Sequence, residues 1–322
     1  MEEKNGNRKT WTIVAIVGVV AVLCCCLVVM AAAAGSWLVG FPFGTSWGPG
    51  VEGEEMVRTY DVGRSPDLVI DNFAGSITVR AGEGNQIRVM ATKRAPRSSD
   101  LDRIEVDIQP RAGGLAIVTR NPNRLLSASV RLEVVVPKDT SFGVHTSSGS
   151  VEVSGLHGGG KAETSSGRVT ARDLSGTVAL HTSSGGMSVH TFEGDLNLHV
   201  SSGSIDVDLM RGNLDAHTSS GSIGVRDAQG WVRLETSSGS IDYTGSPLGD
   251  CSFKTGSGSI DLRLPADLDA RVDLHTGSGS IKVNYPLEGE QGKNDVSGVI
   301  GSGSDAYIEA HTISGGISLS PY

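Results

Sequence analysis

Residues 181–225 read H-T-S-S-G-G-M-S-V-H-T-F-E-G-D-L-N-L-H-V-S-S-G-S-I-D-V-D-L-M-R-G-N-L-D-A-H-T-S-S-G-S-I-G-V, and this stretch decides the fold. A phrase close to T-S-S-G-S-I-x-V begins at Thr182, Val200 and Thr218, each 18 residues from the last. Followed outward, it begins at Thr146, Thr164 and Thr236 with the same step, then at Thr255, Thr276 and Thr312 with steps of 19, 21 and 36. A degenerate copy, N-F-A-G-S-I-T-V, occupies 72–79. Each repeat is numbered here from its Thr. Positions 6 and 8 are apolar (Ile205 and Val207, Ile223 and Val225), as are positions 15 and 17 (Leu196 and Leu198, Leu214 and Ala216). The residues between them are polar, so the period is two. That pattern reads as two short strands per repeat, each with one buried face. Position 4 is Gly in all nine full copies: Gly149, Gly167, Gly185, Gly203, Gly221, Gly239, Gly258, Gly279 and Gly315. Gly permits a φ > 0 corner there, and Gly176, Gly194, Gly212 and Gly230 at position 13 mark a second corner.

Two strands in 18 residues cannot enclose a core, but stacked coils can. The predicted fold is therefore all-β, a β-solenoid of nine to ten 18-residue coils. At about 4.8 Å per coil it makes a rod on the order of 45 Å long. Val200 replaces Thr in the position-1 column, which places that column at least partly inward. Leu156, Leu174, Phe192, Met210 and Ala228 at position 11 are expected to fill one end of a narrow core. Cys251 falls at position 15 and reads as a buried, inert thiol.

The repeats, the lead-in V-R-L-E-V-V-V-P-K-D-T (130–140) and the return L-P-A-D-L-D-A-R-V-D-L-H-T (264–276) resemble the bacterial "putative adhesin" β-strand-repeat family, a domain of unknown function. The resemblance covers residue 60 to the C-terminus. It implies a β-solenoid, often behind one membrane span, and no catalytic residues.

The 25 residues 12–36 carry no charge and are bracketed by Trp11 and Trp37. As a helix they would extend about 37 Å, enough to cross a bilayer. Lys4, Arg8 and Lys9 precede the run, so the positive-inside rule puts 1–11 in the cytoplasm and the rest outside. The expected organisation is a cytoplasmic 1–11, a transmembrane helix 12–36, a Gly/Pro-rich linker 37–59 and an ectodomain 60–322. Within the ectodomain, 60–140 is an irregular first coil with its cap and 141–322 holds the regular coils. Residues 287–300 read as a polar protruding loop, and the C-terminal residues as the final coil. A cleaved signal peptide is the alternative for the N-terminal run; both readings export the remainder.

Composition narrows the function. The 322 residues include 44 Gly and 40 Ser, and only 5% aromatics. Beyond residue 36 there are 24 basic and 34 acidic side chains, a net −10, which argues against nucleic-acid partners. Three of the four Cys lie in the apolar run, leaving Cys251 without an intramolecular partner. Near-matches to phosphate and nucleophile motifs at 155–162 and 44–48 lack the strand–turn–helix setting those chemistries need. Asp206, Asp242 and Asp261 recur at position 7 too irregularly for a calcium roll. Position 18 holds six of the eight His, and His181, His199 and His217 should stack at coil spacing on an outward face. Such a ladder could hold a metal or sense pH, and the plain alternative is a polar stripe suited to strand packing. The expectation is no catalytic residue, no cofactor and no metal. The leading reading is a non-enzymatic, single-pass, membrane-anchored surface scaffold, an adhesin with an unknown surface or protein ligand. A self-assembling, polymer-forming surface protein is the alternative, and a polysaccharide-active enzyme comes third.

Overall fold

The computed structural model describes residues 50–322. Among these residues all 24 strands join one hydrogen-bonded system, and no helix is long and apolar enough to cross a membrane. The expected span 12–36 and the cytoplasmic segment before it lie outside the described residues.

The N-terminal part contains β1 (Val51–Asp61), β2 (Asp67–Asn72), β3 (Ile77–Gly82), β4 (Gln86–Ala95), a 3₁₀ turn Ser98–Arg103, β5 (Glu105–Arg111), β6 (Gly114–Arg120) and β7 (Ser129–Pro137). The regular coils follow as β8 (Ser141–Ser148), β9 (Val151–Ser154), β10 (Gly160–Ser166), β11 (Val169–Ser184), β12 (Met187–Ser202), β13 (Ile205–Ser220), β14 (Ile223–Gly230), β15 (Val232–Ser238), β16 (Ile241–Pro247), β17 (Gly249–Ser257) and β18 (Ile260–Leu264). The C-terminal part holds β19 (Ala270–Ser278), β20 (Ile281–Val283), β21 (Glu288–Gln291), β22 (Asp295–Ile300), β23 (Ala306–Ser314) and β24 (Ile317–Pro321).

Successive repeats pair in parallel and in register: Val169 with Met187 with Ile205, and Leu180 with Leu198 with Ala216. The apolar positions 6, 8, 11, 15 and 17 are buried through β11–β13, and their neighbours are half-buried or exposed. The β-solenoid is therefore the fold. Its core is one continuous file, mostly of Ile, Val, Leu and Ala, with Phe192, Tyr243 and Phe253 as its largest fully buried side chains.

One interaction explains both fixed letters of the repeat. The position-1 Thr is buried in every coil that has it. Its hydroxyl donates to the carbonyl of the position-4 Gly one coil below: Thr164 to Gly149 at 3.0 Å, Thr182 to Gly167 at 3.1 Å, Thr218 to Gly203 at 3.0 Å and Thr236 to Gly221 at 2.9 Å. The Gly itself has φ between 134° and 158° in the coils from Gly149 to Gly258. A Cβ on Gly203 would stand 2.1 Å from the Gly185 carbonyl oxygen. Only Gly lets the corners stack at strand spacing.

The coil order departs from the chain order at both ends. β2 lies between β6 and β8, and β3 between β7 and β9. The first coil of the chain is thus second in the stack, under the rung made by β6 and β7. At the other end β23 lies between β17 and β19, and β24 between β18 and β20. The C-terminal coil is not the final one, as its place in the sequence implied; it is clamped under the rung before it. The 36-residue step from Thr276 to Thr312 arises this way, and Thr312 donates to Gly258 at 3.0 Å while Thr276 donates to Gly315 at 2.7 Å. The stack has one rung more than the ten repeat copies, because Thr119 in β6 takes the Thr place and donates to Asn72 at 2.6 Å.

Antiparallel strands close both ends. β4 pairs with β7 and β5 with β6; β22 pairs with β19 and β21 with β22. The stretch 287–300 expected as a loop contains that last hairpin. The linker expected over 37–59 also ends early. Residues 51–59 belong to β1, which pairs with β4 across a bulge between Glu52 and Glu55. Its mostly exposed side chains carry no inside–outside alternation to read. Capping strands with charges and a bulge satisfy the end rungs and discourage further strand addition.

Candidate functional site

The stacking turns each outward repeat position into a column. At position 18 the order in space is Asp71, His145, Glu163, His181, His199, His217, Glu235, Lys254, His311, His275, Asp295. The three expected imidazoles do come together. Ring centroids are 5.0 Å apart for His181–His199 and 5.1 Å for His199–His217, with planes 9° and 11° from parallel. Burial, then the two neighbouring imidazoles, holds the His199 pKa below its usual 6.5. Stacked this way, the three rings present their edges side by side and do not converge on one point. Among the described residues no group of three His, Cys, Asp or Glu is arranged to hold a metal ion.

A second stack, His275–His311 at 5.1 Å, was hidden from the sequence because it depends on the clamped coil. His275 also contacts Asp295 of the capping hairpin. The same rearrangement brings Lys254 within 2.9 Å of Glu309. The Lys254 ammonium holds the Glu309 carboxyl below the usual carboxylate range. Lys161, in the phosphate-loop near-match, lies on β10 and pairs with Glu163 at 2.7 Å. Cys251 is buried as expected, and burial pushes its thiol up to about 11. The near-match at 44–48 lies outside the described residues.

The feature that sequence reasoning missed is a third corner. At position 10 the backbone is left-handed without glycine: Asp173 at φ 52°, Thr191 at 57°, Leu209 at 57° and Asp227 at 53°. Asp tolerates this region, whereas Thr and Leu adopt it at a cost of about 1–2 kcal/mol each. The interstrand register passes over these residues, running from Arg172 with His190 directly to Leu174 with Phe192. Position 11 then turns inward. Positions 10 and 12 are left to wall a cleft of about 670 Å³ that crosses successive coils. A second cleft of about 640 Å³ lies over the N-terminal rungs and shares His157 as a lining residue with the first. The sequence signal was slight: an Asp in two of the four coils, and nothing in the others.

The model of the family described as Toastrack DUF4097 matches residues 66–320. No curated protein matches the chain. Among solved structures, one described as a "putative cell adhesion protein" from Clostridium sporogenes is 13% identical, covering 84% of this chain and 99% of its own, with a TM-score of 0.26. One described as a "putative adhesin" from Bacteroides fragilis is 11% identical, covering 83% of this chain and 97% of its own, with a TM-score of 0.36.

Proposed function

The chain belongs to the Toastrack DUF4097 family, and from that premise we propose that it is a membrane-anchored, extracytoplasmic binding scaffold, adhesin-like and non-enzymatic. The observation that carries the reading is the alignment of exposed polar side chains into columns at one-rung intervals, as at position 18 with its stacked His181, His199 and His217 and at position 12 with Glu193 and Arg211. Catalysis needs one nucleophile, base and orienting group in mutual reach. A column instead offers many evenly spaced polar contacts, which suits binding an extended partner. The charge-free run 12–36 supports the tether, and the basic residues before it support the outward orientation. The capped, acidic ends (Glu54 and Glu55 on β1, Glu288 and Glu290 on β21) favour a single rod over end-to-end filaments.

Two experiments test this reading. Protease added to intact cells, or to spheroplasts where an outer membrane is present, should degrade the ectodomain and leave a small membrane fragment. Protection of the ectodomain would refute the orientation. Cross-linking of the full-length protein on its native surface should capture a partner, and ultracentrifugation should show monomers. Concentration-dependent filaments would favour the polymer-forming alternative.

A further inference from the structure

We infer that the cleft along the position-10 corner binds a linear, uncharged β-linked glycan lying parallel to the solenoid axis. The inference rests on the binding-scaffold reading and names the ligand class for it.

The first ground is geometric. The two clefts share His157 as a lining residue and lie along the same corner, over rungs from β7 and β3 to β14. The floor of this groove repeats once per rung, at the strand spacing of about 4.7–4.9 Å. A polymer that binds in register must advance one unit over that distance. An extended peptide advances about 3.3 Å per residue and returns the same face only after about 6.6 Å, so it drifts out of step within two rungs. An extended chain of β-1,4-linked hexoses advances by close to one rung per sugar and returns the same face after two sugars, close to two rungs, so it keeps step along the groove.

The second ground is the chemistry of the walls. Position 12 contributes, in consecutive rungs, His157, Ser175, Glu193, Arg211 and Gln229. Glu193, Arg211, Gln229 and His157 are exposed. They are hydrogen-bonding groups at unit intervals, with donors and acceptors mixed. The opposite lip carries Asp173 and Asp227, so acids outnumber bases in this cleft. In the adjoining cleft Arg64 and Lys138 are matched by Glu83 and Asp139. Such a lining repels nucleic acids and acidic polysaccharides. It offers carboxylates to accept from neighbouring sugar hydroxyls, and Arg211 and Gln229 to donate.

The third ground is strain. Thr191 and Leu209 hold left-handed backbone that neither side chain favours, and both lie on the groove wall. Leu209 stays 47% exposed there and supplies the apolar face on which a sugar ring can rest. Backbone strain gathered in consecutive rungs along one groove is the kind found at ligand-binding positions.

The test is calorimetric titration of the full-length protein with cello-oligosaccharides of increasing length and with chitohexaose. Affinity should rise with chain length until the glycan spans the rungs from His157 to Gln229. The double variant Arg211→Ala, Gln229→Ala should weaken binding by about tenfold or more, the loss expected for two or more hydrogen bonds, with an unchanged melting temperature. Leu209→Ser, which keeps the corner and removes the apolar face, should weaken it as well. Lack of binding by every one of these glycans would overturn the inference, as would affinity independent of length or untouched by the double variant. A surface partner whose capture survives the double variant would keep the scaffold reading and discard this one.

Discussion

Replacing Gly203 by Ala should be among the most damaging single-methyl changes in the protein. The added Cβ would lie 2.1 Å from the carbonyl oxygen of Gly185 and 2.7 Å from its carbonyl carbon, against ordinary contacts that begin at 3.4 Å. Both obstructing atoms are backbone, so relief requires the two rungs to part locally or the corner to rotate. The corner is held at φ 147°, which an L side chain rarely adopts, by the Gly203 N–H bond to the Ser220 carbonyl at 2.8 Å, so backbone strain adds to the clash. Strain at such a residue is worth about 1–3 kcal/mol, and overpacking against an unyielding neighbour a further 1–3 kcal/mol. Moving the corner also breaks the Thr218 hydroxyl bond to the Gly203 carbonyl, at about 1 kcal/mol. A total of about 3–7 kcal/mol lowers the melting temperature by on the order of 10 °C or more. Gly186→Ser is the matched control. It restores the commonest residue of position 5, and its Cβ would meet only the Ser204 carbonyl oxygen at 3.4 Å. It should melt within about 2 °C of wild type. Thermal denaturation by circular dichroism reads both. Equal shifts for the two variants would refute the in-register stacking of the corners.

The Thr column gives a reciprocal pair. Thr218→Val leaves the buried Gly203 carbonyl without its side-chain donor and should cost about 1–2 kcal/mol. Val200→Thr supplies the donor that the Gly185 carbonyl lacks and should stabilise by up to about 1 kcal/mol, so denaturant midpoints should move in opposite directions. The His column predicts a pH effect of fixed sign. Because the folded His199 pKa lies below 6.5, the unfolded chain takes up the proton first, and stability falls as pH drops through about 6.5. The ring faces His181 and His217 across the strands and Asn197 and Ser201 along its own, with Glu163 and Glu235 one rung beyond. His199→Gln should show a smaller melting-temperature loss between about pH 7.5 and 5.5 than wild type. A steeper loss in the variant would contradict the stacking.

The regular part of the fold was legible because in-register stacking writes the same physical demand into the chain at each turn. The Thr hydroxyl needs a carbonyl, the corner needs Gly203 and its equivalents, and the core needs Ile205 and Val207. The clamped ends were not legible, since parallel pairing of β23 with β17 or with β19 asks the same of Ile308 and Ala310. Any rung fits on any other, and the order is distinguished by the capping hairpin and by side-chain contacts such as Lys254–Glu309, Ser252–Glu309 and His275–His311. The edge strand β1 buries too little of itself to leave an alternating pattern. The His column was readable because exposed positions repeat as faithfully as buried ones. The groove was not, because its corner at Thr191 and Leu209 is imposed by the rungs above and below against local preference.

Every column described above depends on the order of the rungs, and a pair of cysteine substitutions tests that order directly. Ser257 lies in register with Ser314, and Ser314 with Ser278, so Ser257 and Ser278 are two rungs apart. Neighbouring strands place the Cα atoms about 4.8 Å apart, within disulfide reach, whereas two rungs exceed the limit of about 7 Å. Under mild oxidation, with peptide mapping by mass spectrometry, Ser257→Cys with Ser314→Cys should cross-link and Ser257→Cys with Ser278→Cys should not. A disulfide in the second pair and none in the first would mean that the coils stack in chain order, and the clamped C-terminal coil would be wrong.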